Sequence, residues 1–338
     1  QRLAAEGRET AASACLRSAC GLAPAARAVA GRPPAPALSR LPGPRRSAFQ
    51  LIDANAEYAK ELNLLRYVLE VAEPGLAAGV CQAVERYGQH VLQRTNMWLK
   101  IAGDAKAAVL ARALQAAPPG GEVLEIGTYC GYSALRLVLA LPGVRISTLE
   151  FDPVHALIAR SVLIAAGAMD SVDVWTGHSS ELVTRIVSRP SGPGPFSAVF
   201  MDQRGSLFHE DLRILEAGGA LLPGCAVVAD NVLKPGAPLY IWHLRSGDEH
   251  EMQLVHLEEF AMPADDWMAA SVWQPRGAAT ARHDAPTEIF RWHAEADRMR
   301  ERARNRGRSV SFAEWASFAV ELRTAFAALG IAATAEAS

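Results

Sequence analysis

The chain has 338 residues, of which 50% are hydrophobic, and its formal net charge is −2. This length suits one large α/β domain with appendages or two smaller domains, and the balanced charge gives no reason to expect a nucleic-acid partner. No apolar run reaches the roughly 18 residues that a membrane-spanning helix requires. We therefore expect a soluble protein of the cytoplasm with no membrane span.

Residues 1–47 are rich in Ala, Arg, Pro and Ser, with eight Arg against two acids, Glu6 and Glu9. Such a segment buries little apolar surface, so we expect a disordered leader. Its Arg-rich, acid-poor character also resembles an organellar transit peptide, and that alternative stays open. The five cysteines lie outside any CxxC pair or zinc spacing, which indicates free thiols in a reducing compartment.

Residues 48–275 alternate between short apolar runs and helical patterns. The runs predict seven strands: Glu122–Ile126, Arg145–Glu150, Val172–Trp175, Ser197–Met201, Ala226–Ala229, Met252–Glu258 and Trp267–Trp273. Such alternation is typical of a Rossmann-like α/β fold, with a doubly wound, mostly parallel sheet and helices on both faces. The last two strands have only a short connection around Pro263, so we expect an antiparallel pair.

Residues 276–338 are predicted to form a helical C-terminal extension. The basic run 298–308 indicates a solvated helix face or linker, with an anionic partner as the alternative. Ser311 and Glu314 have the spacing of a capping box, and an amphipathic helix follows them. That helix either packs on the main domain or forms a homodimer contact.

Five residues that could bind a ligand or take part in catalysis follow or end predicted strands: Gly127, Glu150, Gly177, Asp202 and Asp230. Ligands of doubly wound folds bind at this edge of the sheet. Gly127 and Gly131 have the spacing GxxxG, not the GxGxxG of dinucleotide sites, which argues against a dinucleotide oxidoreductase. Glu150 suits the two hydroxyls of a ribose, and the buried Glu125 requires a partner such as a ligand ammonium group or backbone N–H groups.

Asp202 and the pair Asp230–Asn231 follow two strands that should be neighbours in the sheet. Two carboxylates and an amide carbonyl would then converge, with neither His nor Cys among them. Hard oxygen ligands of this kind are typical of Mg²⁺. The sequence therefore predicts a magnesium site, although each acid could instead cap a helix.

Residues 62–275 resemble catechol O-methyltransferase. The matching segments are Ala72–Gly75, Gly103–Asp104, Leu124–Ser133, Met201–Asp202, Ala229–Val232 and Pro235–Pro238. This resemblance implies an S-adenosylmethionine- and Mg²⁺-dependent O-methyltransferase whose substrate is a small catechol-like vicinal diol.

The resemblance also implies roles for particular residues. Cofactor contacts are implied at Ala102, Glu125, Gly127, Tyr129, Tyr132, Ser133, Glu150, Phe151, Ser179 and Asp202. Magnesium ligands are implied at Asp202, Asp230 and Asn231. Trp98 and Pro235 would flank the catechol ring, Asn231 would also face the substrate, and Glu258, or Glu259 because the local alignment is loose, would hold its second hydroxyl.

The chain departs from the family mainly on the substrate side. Gly205 stands where the family has its catalytic lysine, Arg204 replaces a gate tryptophan and Gln203 replaces a histidine. Lys100 replaces a methionine near the sulfonium, and our hypothesis is that this lysine takes over the catalytic role. Lys234 and Arg204 are weaker alternatives. The missing lysine also leaves a second function open, in which the chain binds cofactor or partners and transfers nothing.

Overall fold

The computed structural model describes residues 52, 56–92, 98–188, 195–260, 264–275, 283–304 and 310–335. The predicted leader, with Cys15 and Cys20, lies outside these residues. The other three cysteines, Cys81, Cys130 and Cys225, are free and buried. None of the helices in the described ranges combines the length and apolarity that a membrane crossing requires.

Helices and strands alternate through the described residues. The helices are α1 (Ala59–Val71), α2 (Ala77–Arg86), α3 (Asp104–Gln115), α4 (Tyr132–Ala140), α5 (Pro153–Ala165), α6 (Ser179–Val187), α7 (Phe208–Ala217), α8 (Pro238–Ser246), α9 (Thr287–Arg304) and α10 (Phe312–Ala328). The strands are β1 (Glu122–Ile126), β2 (Ile146–Glu150), β3 (Val172–Thr176), β4 (Phe196–Met201), β5 (Leu221–Ala229), β6 (His250–Glu258), β7 (Asp265–Trp273) and β8 (Thr334–Ala335). A π-helical turn, Tyr87–Leu92, continues α2.

The strands form one sheet in the order β3-β2-β1-β4-β5-β7-β6-β8. Strands β1 to β5 are parallel, and β7 runs antiparallel to both β5 and β6. The predicted doubly wound sheet of seven strands with its antiparallel pair is therefore confirmed. The two-residue β8, which pairs with β6, is an addition that its length hid from sequence analysis.

Each strand divides its side chains between two apolar layers, because successive residues point to opposite faces of a sheet. In β4, for example, Phe200 packs in the layer with α1 to α5, whereas Val199 packs in the layer with α6 to α10. Helix α10 begins with the predicted capping box at Ser311, and its residues Leu322 and Phe326 are fully buried. The C-terminal extension is thus helical and shares the core of the domain.

The register of the parallel strands sets the position of the functional residues. Ile126, Met201 and Ala229 are paired across β1, β4 and β5. The residues that follow them must therefore lie side by side at the carboxyl edge of the sheet. Gly127 has φ +103°, and a Cβ atom there would lie 2.6 Å from the Asp202 carbonyl group. A glycine is required at this position because the backbone after β1 and the backbone after β4 approach so closely.

Candidate active site

Asp230 and Asn231 form a rigid corner after β5. Asn231 adopts a left-handed conformation with φ 57°, and its backbone N–H donates to Asp230 Oδ1 at 2.7 Å. Asp202 follows the neighbouring strand β4, and its backbone N–H donates to the Ile126 carbonyl at 2.8 Å. The three predicted magnesium ligands therefore follow adjacent strands at one edge of the sheet.

A buried lysine that the sequence analysis did not single out joins the acids of this edge. Lys106, in the first turn of α3, has 0% relative exposure, and its Nζ lies 2.7 Å from Asp230 Oδ1. The same atom lies 3.0 Å from Glu259 Oε1 and 3.2 Å from Asp266 Oδ2. Burial opposes the charge, but the three acids outweigh it and hold the Lys106 pKa well above its ordinary value. Lys106 is thus a permanent ammonium group.

The acids outnumber this one ammonium group. Burial raises the pKa of Asp202 well above its usual range, and repulsion from Asp230 raises it further. Burial also raises the pKa of Asp230. Asn231 Nδ2 donates to Glu259 at 3.0 Å and to Asp266 at 2.8 Å, which leaves its amide oxygen for a cation. The oxygen donors fit Mg²⁺, whose charge would offset the burial and repulsion that raise the pKa values of these acids.

Glu259, and not Glu258, lies at this cluster. Glu258 is the last residue of β6, pairs with Asp265 of β7 and is exposed. Glu259 contacts both Lys106 and Asn231, and burial raises its pKa to about 8. The structure thus does not bring the predicted substrate residue Glu258 to the metal ligands, whereas the alternative that the loose alignment left open is there.

The buried acid Glu125 lies on β1 beside the glycine turn. The hydroxyl of Thr148 donates to its Oε2 atom, whereas Oε1 has no hydrogen-bond partner in the described part of the chain. Burial raises the pKa of this fully buried carboxyl to about 7, against the effect of the nearby Ser133 and Thr148 hydroxyls. A ligand ammonium group would satisfy Oε1, as the sequence analysis anticipated.

Glu150 ends β2 next to the turn. Its two oxygens accept backbone hydrogen bonds from Tyr129 at 2.7 Å and Asp152 at 2.8 Å. Tyr129 has φ 49°, and its hydroxyl donates to Glu61 at 2.6 Å. These bonds tie the glycine turn to β2 and to helix α1.

The other predicted cofactor residues lie at the end of a strand or at the start of a helix. Phe151 is 56% exposed, and its ring lies 4.4 Å from the His178 ring, which places an aromatic surface beside Glu150. Ala102 lies next to the first turn of α3, Tyr132 and Ser133 begin α4, and Ser179 begins α6.

Arg300 of the C-terminal extension lies beside Gly205. A Cβ atom on Gly205 would be 2.5 Å from the guanidinium of Arg300 and 2.8 Å from the Gly236 carbonyl. The guanidinium donates to that carbonyl, its side chain is only 12% exposed, and burial lowers its pKa to about 10. The expected solvated face of the run 298–308 is therefore wrong for this residue.

Arg204 and Gln203 also make interactions that hold them in place. Arg204 contacts Asp297 at 2.9 Å and Glu301 at 3.5 Å, both on α9. Gln203 Nε2 donates to Asp211 at 2.9 Å. The segment after Asp202 is thus held against α9 and α7, and Arg204 is already paired with acids.

Lys100 and Trp98 lie in the segment that precedes α3. The Lys100 ammonium is 6.0 Å from the centre of the Trp98 ring. The residue reaches solvent, yet desolvation of its ammonium and repulsion from Lys60 lower its pKa, against attraction from Glu61 and Asp202. Pro235, the other predicted ring contact, precedes the Gly236 carbonyl that Arg300 holds.

A doubly wound sheet with a glycine turn, a buried acid and a strand-end acid on one edge is the architecture of the S-adenosylmethionine-dependent methyltransferases. The O-methyltransferase family model matches residues 96–261. "Catechol O-methyltransferase B" of Danio rerio is 33% identical over 201 residues, which are 59% of this chain and 74% of that protein. "Catechol O-methyltransferase" of Mus musculus is 30% identical over 66% of this chain and 82% of its own length.

Among solved structures, an O-methyltransferase from Bacillus cereus in complex with SAH is 22% identical, with a TM-score of 0.48, over 56% of this chain and 90% of its own. From the sequence relatives, the chain belongs to the O-methyltransferase family and is an S-adenosylmethionine-dependent O-methyltransferase.

Replacing Lys106 by Met should destabilise the fold by about 3–5 kcal/mol, because three acids would lose their buried counter-charge. Urea unfolding, followed by circular dichroism, measures this loss. Arg145→Met is the matched control, since it removes an exposed pair with Asp173 and should cost less than about 1 kcal/mol. Equal effects of the two substitutions would contradict the central role of Lys106.

Glu125→Gln should stabilise the ligand-free protein more at pH 8 than at pH 5. The folded-state pKa is raised to about 7, so the acid costs stability as the pH rises from its unfolded pKa through 7. We expect a gain of roughly 1–3 kcal/mol at pH 8 and little at pH 5, from urea unfolding at both values. A gain that is the same at both would show that Glu125 ionises normally.

Proposed function

We propose that the enzyme transfers a methyl group from S-adenosylmethionine to one hydroxyl of a catechol-like vicinal diol, with Mg²⁺ as cofactor. The observation that supports the proposal is that Asp202 and Asp230 follow adjacent strands and are close enough for Asp230 to raise the pKa of Asp202. The amide nitrogen of Asn231 is bonded to Glu259 and Asp266, which leaves its oxygen for a cation. The names of the Danio rerio and Mus musculus relatives support a catechol as acceptor.

In the proposed reaction, the acceptor oxygen forms a bond to the methyl carbon while the bond between sulfur and that carbon breaks. The electron pair stays on sulfur, and the hydroxyl proton must leave. Holding donor and acceptor in line can be worth about 7–11 kcal/mol. Asp202, Asp230 and Asn231 would hold the Mg²⁺, whose positive charge would favour the ionised form of the hydroxyl, whose pKa is about 10 when free.

The protein groups around the acceptor supply orientation. We propose that Trp98 and Pro235 contact the faces of the flat catechol ring. Glu259 accepts a hydrogen bond from Asn231, and we propose that its carboxyl also hydrogen-bonds the second hydroxyl of the diol. These contacts would fix which oxygen faces the donor.

Lys100 is the amine that we propose to take the hydroxyl proton. Lys106 is unsuited to that role, because its pKa is raised and its three acids keep it charged. Lys100 has the opposite property, since partial desolvation and Lys60 lower its pKa, and it lies within electrostatic reach of Asp202. A lysine at position 205 is replaced by a glycine that makes room for Arg300.

Arg300 is a charged group beside Gly205 that is paired with Asp297 at 3.4 Å. Its guanidinium remains protonated at neutral pH even with a pKa lowered to about 10, so it is no general base. We propose that it supports the Pro235–Gly236 wall of the acceptor site through its bond to the Gly236 carbonyl.

A second candidate function rests on Gly205. If no amine replaces the family's lysine, the chain would bind S-adenosylmethionine as a cofactor- or partner-binding module and transfer no methyl group. An assay with labelled S-adenosylmethionine separates the two functions, since such a module binds the donor tightly and yields no methylated diol.

With labelled S-adenosylmethionine and a panel of neutral and acidic catechols, we expect methylation that needs Mg²⁺ and stops when a chelator is added. Asp230→Asn should reduce kcat/KM by more than about 100-fold, because it removes charge at the cation. Asp265→Asn is the matched control, an acid that lies outside the cluster and bonds to Arg323. Chelator-resistant turnover would exclude the magnesium mechanism.

Lys100→Met should lower kcat by about 10²–10⁴-fold and remove the rise of the rate with pH that a neutral amine produces. The rise occurs because a lysine accepts a proton only above its pKa, which is lowered here. Lys234→Met is the control, because Lys234 contacts the Asp265 carbonyl at 3.2 Å and is the weaker alternative to Lys100 as the base. A loss confined to Lys234→Met would transfer the role to Lys234, and turnover unchanged in both would exclude a lysine base.

A further inference from the structure

Three potential metal ligands lie at the edge of the sheet opposite the methyltransferase site. Glu216 is in the last turn of α7, His243 is on α8, and His250 is the first residue of β6. Because β6 runs parallel to β4 and β5, its first residue lies at the amino edge, whereas Asp202 and Asp230 lie at the carboxyl edge. The proposed methyl transfer uses none of the three.

The two imidazole rings point their Nε2 atoms at one carboxylate. His243 Nε2 lies 3.0 Å and 3.2 Å from the two oxygens of Glu216, and His250 Nε2 lies 2.7 Å from Oε1. The ligand atoms of the three residues all lie within 4.8 Å of one another. Both histidines are buried, with 7% and 8% exposure, so bulk water does not screen this arrangement.

The other nitrogen of the His250 ring also has a hydrogen-bond partner. Nδ1 lies 3.3 Å from the Ser271 hydroxyl, and that hydroxyl donates to the Val227 carbonyl at 3.4 Å. The hydroxyl of Ser271 can thus hydrogen-bond Nδ1 while Nε2 faces Glu216. The 2.7 Å contact between Nε2 and the carboxylate requires a positive centre between them, which is either the Nε2 proton or a metal ion. A hydrogen-bonded second nitrogen is also typical of histidines that bind metals.

A second observation comes from Tyr240, which is one helical turn before His243 on α8. Its hydroxyl has no exposure and no hydrogen-bond partner in the described ranges. It lies close enough to Glu216 for that charge to affect its ionisation. Water on an open coordination position of a metal would supply the partner that a buried hydroxyl requires.

We propose that His243, His250 and Glu216 form a zinc-type metal site, separate from the magnesium site, that ties α7, α8 and β6 together. Two imidazoles and one carboxylate are a common ligand set for Zn²⁺, with water as the fourth ligand. One metal ion would bind all three side chains at once. The site would strengthen the face on which the C-terminal helices pack.

Metal content of the full chain tests this proposal. We would first remove metals by chelation and add excess Mg²⁺ to fill the carboxylate cluster. The protein would then be titrated with Zn²⁺ and dialysed, and the retained zinc would be measured. We expect about one equivalent, a higher melting temperature, and loss of that equivalent in His243→Gln and His250→Gln. His256→Gln is the control, a histidine of β6 that contacts Asp265 instead and should retain the metal.

Cobalt provides a test in the unaltered protein, so that a variant that fails to fold does not decide the outcome. Co²⁺ in the proposed site should give the intense visible bands of a four-coordinate ion with nitrogen ligands, unlike the weak bands of six oxygens. The proposal is overturned if no zinc is retained, if retained zinc is unchanged in a folded His243→Gln/His250→Gln variant, or if Co²⁺ shows only six-coordinate bands. If no zinc is retained, protons alone link the two imidazoles to the Glu216 carboxylate.

Discussion

One buried ammonium group determines the shape of the carboxyl edge. Lys106 contacts acids from three parts of the chain, and without it the acids after β5, after β6 and on β7 would repel one another in a medium that screens poorly. Asp266, one of these acids, also accepts hydrogen bonds from Asn231 and from the backbone of Lys234. The corner that carries two proposed metal ligands and the wall formed by Pro235 therefore depend on the same charge.

Lys106 also separates two roles that lysines can have at such an edge. Its own proton is held so firmly that it acts as a structural cation, whereas the ammonium of Lys100 is destabilised by its surroundings. The difference arises from partners and not from burial alone, because burial disfavours the charge of both. A cation that balances the acids and an amine that exchanges protons can therefore coexist near one metal site.

Much of this organisation could be predicted from the sequence. Apolar runs gave the seven main strands, and the residue after each run identified Gly127, Asp202 and Asp230, because parallel strands end at a common edge. Glu258 and Glu259 could not be separated, since a one-residue shift in the connection between β6 and β7 changes which acid points inward. Lys106 was missed because its partner Asp266 is 160 residues away, and a lone helical lysine is normally exposed. Arg300 was missed because it lies in a basic run, where arginines are normally exposed, and because its contacts with Gly205 and Gly236 are distant in sequence.

The C-terminal extension is more than an appendage to the domain shared with the relatives. Helix α9 places Arg300 against Gly205 and Gly236, and its Asp297 pairs with Arg204, so residues that follow the last long strand hold the segment after Asp202 and the turn after Asn231. The family model ends at residue 261, before this helix begins. The proposed acceptor wall at Pro235 and Gly236 is therefore supported by a helix outside the matched region, and a comparison of the matched region alone would omit that support.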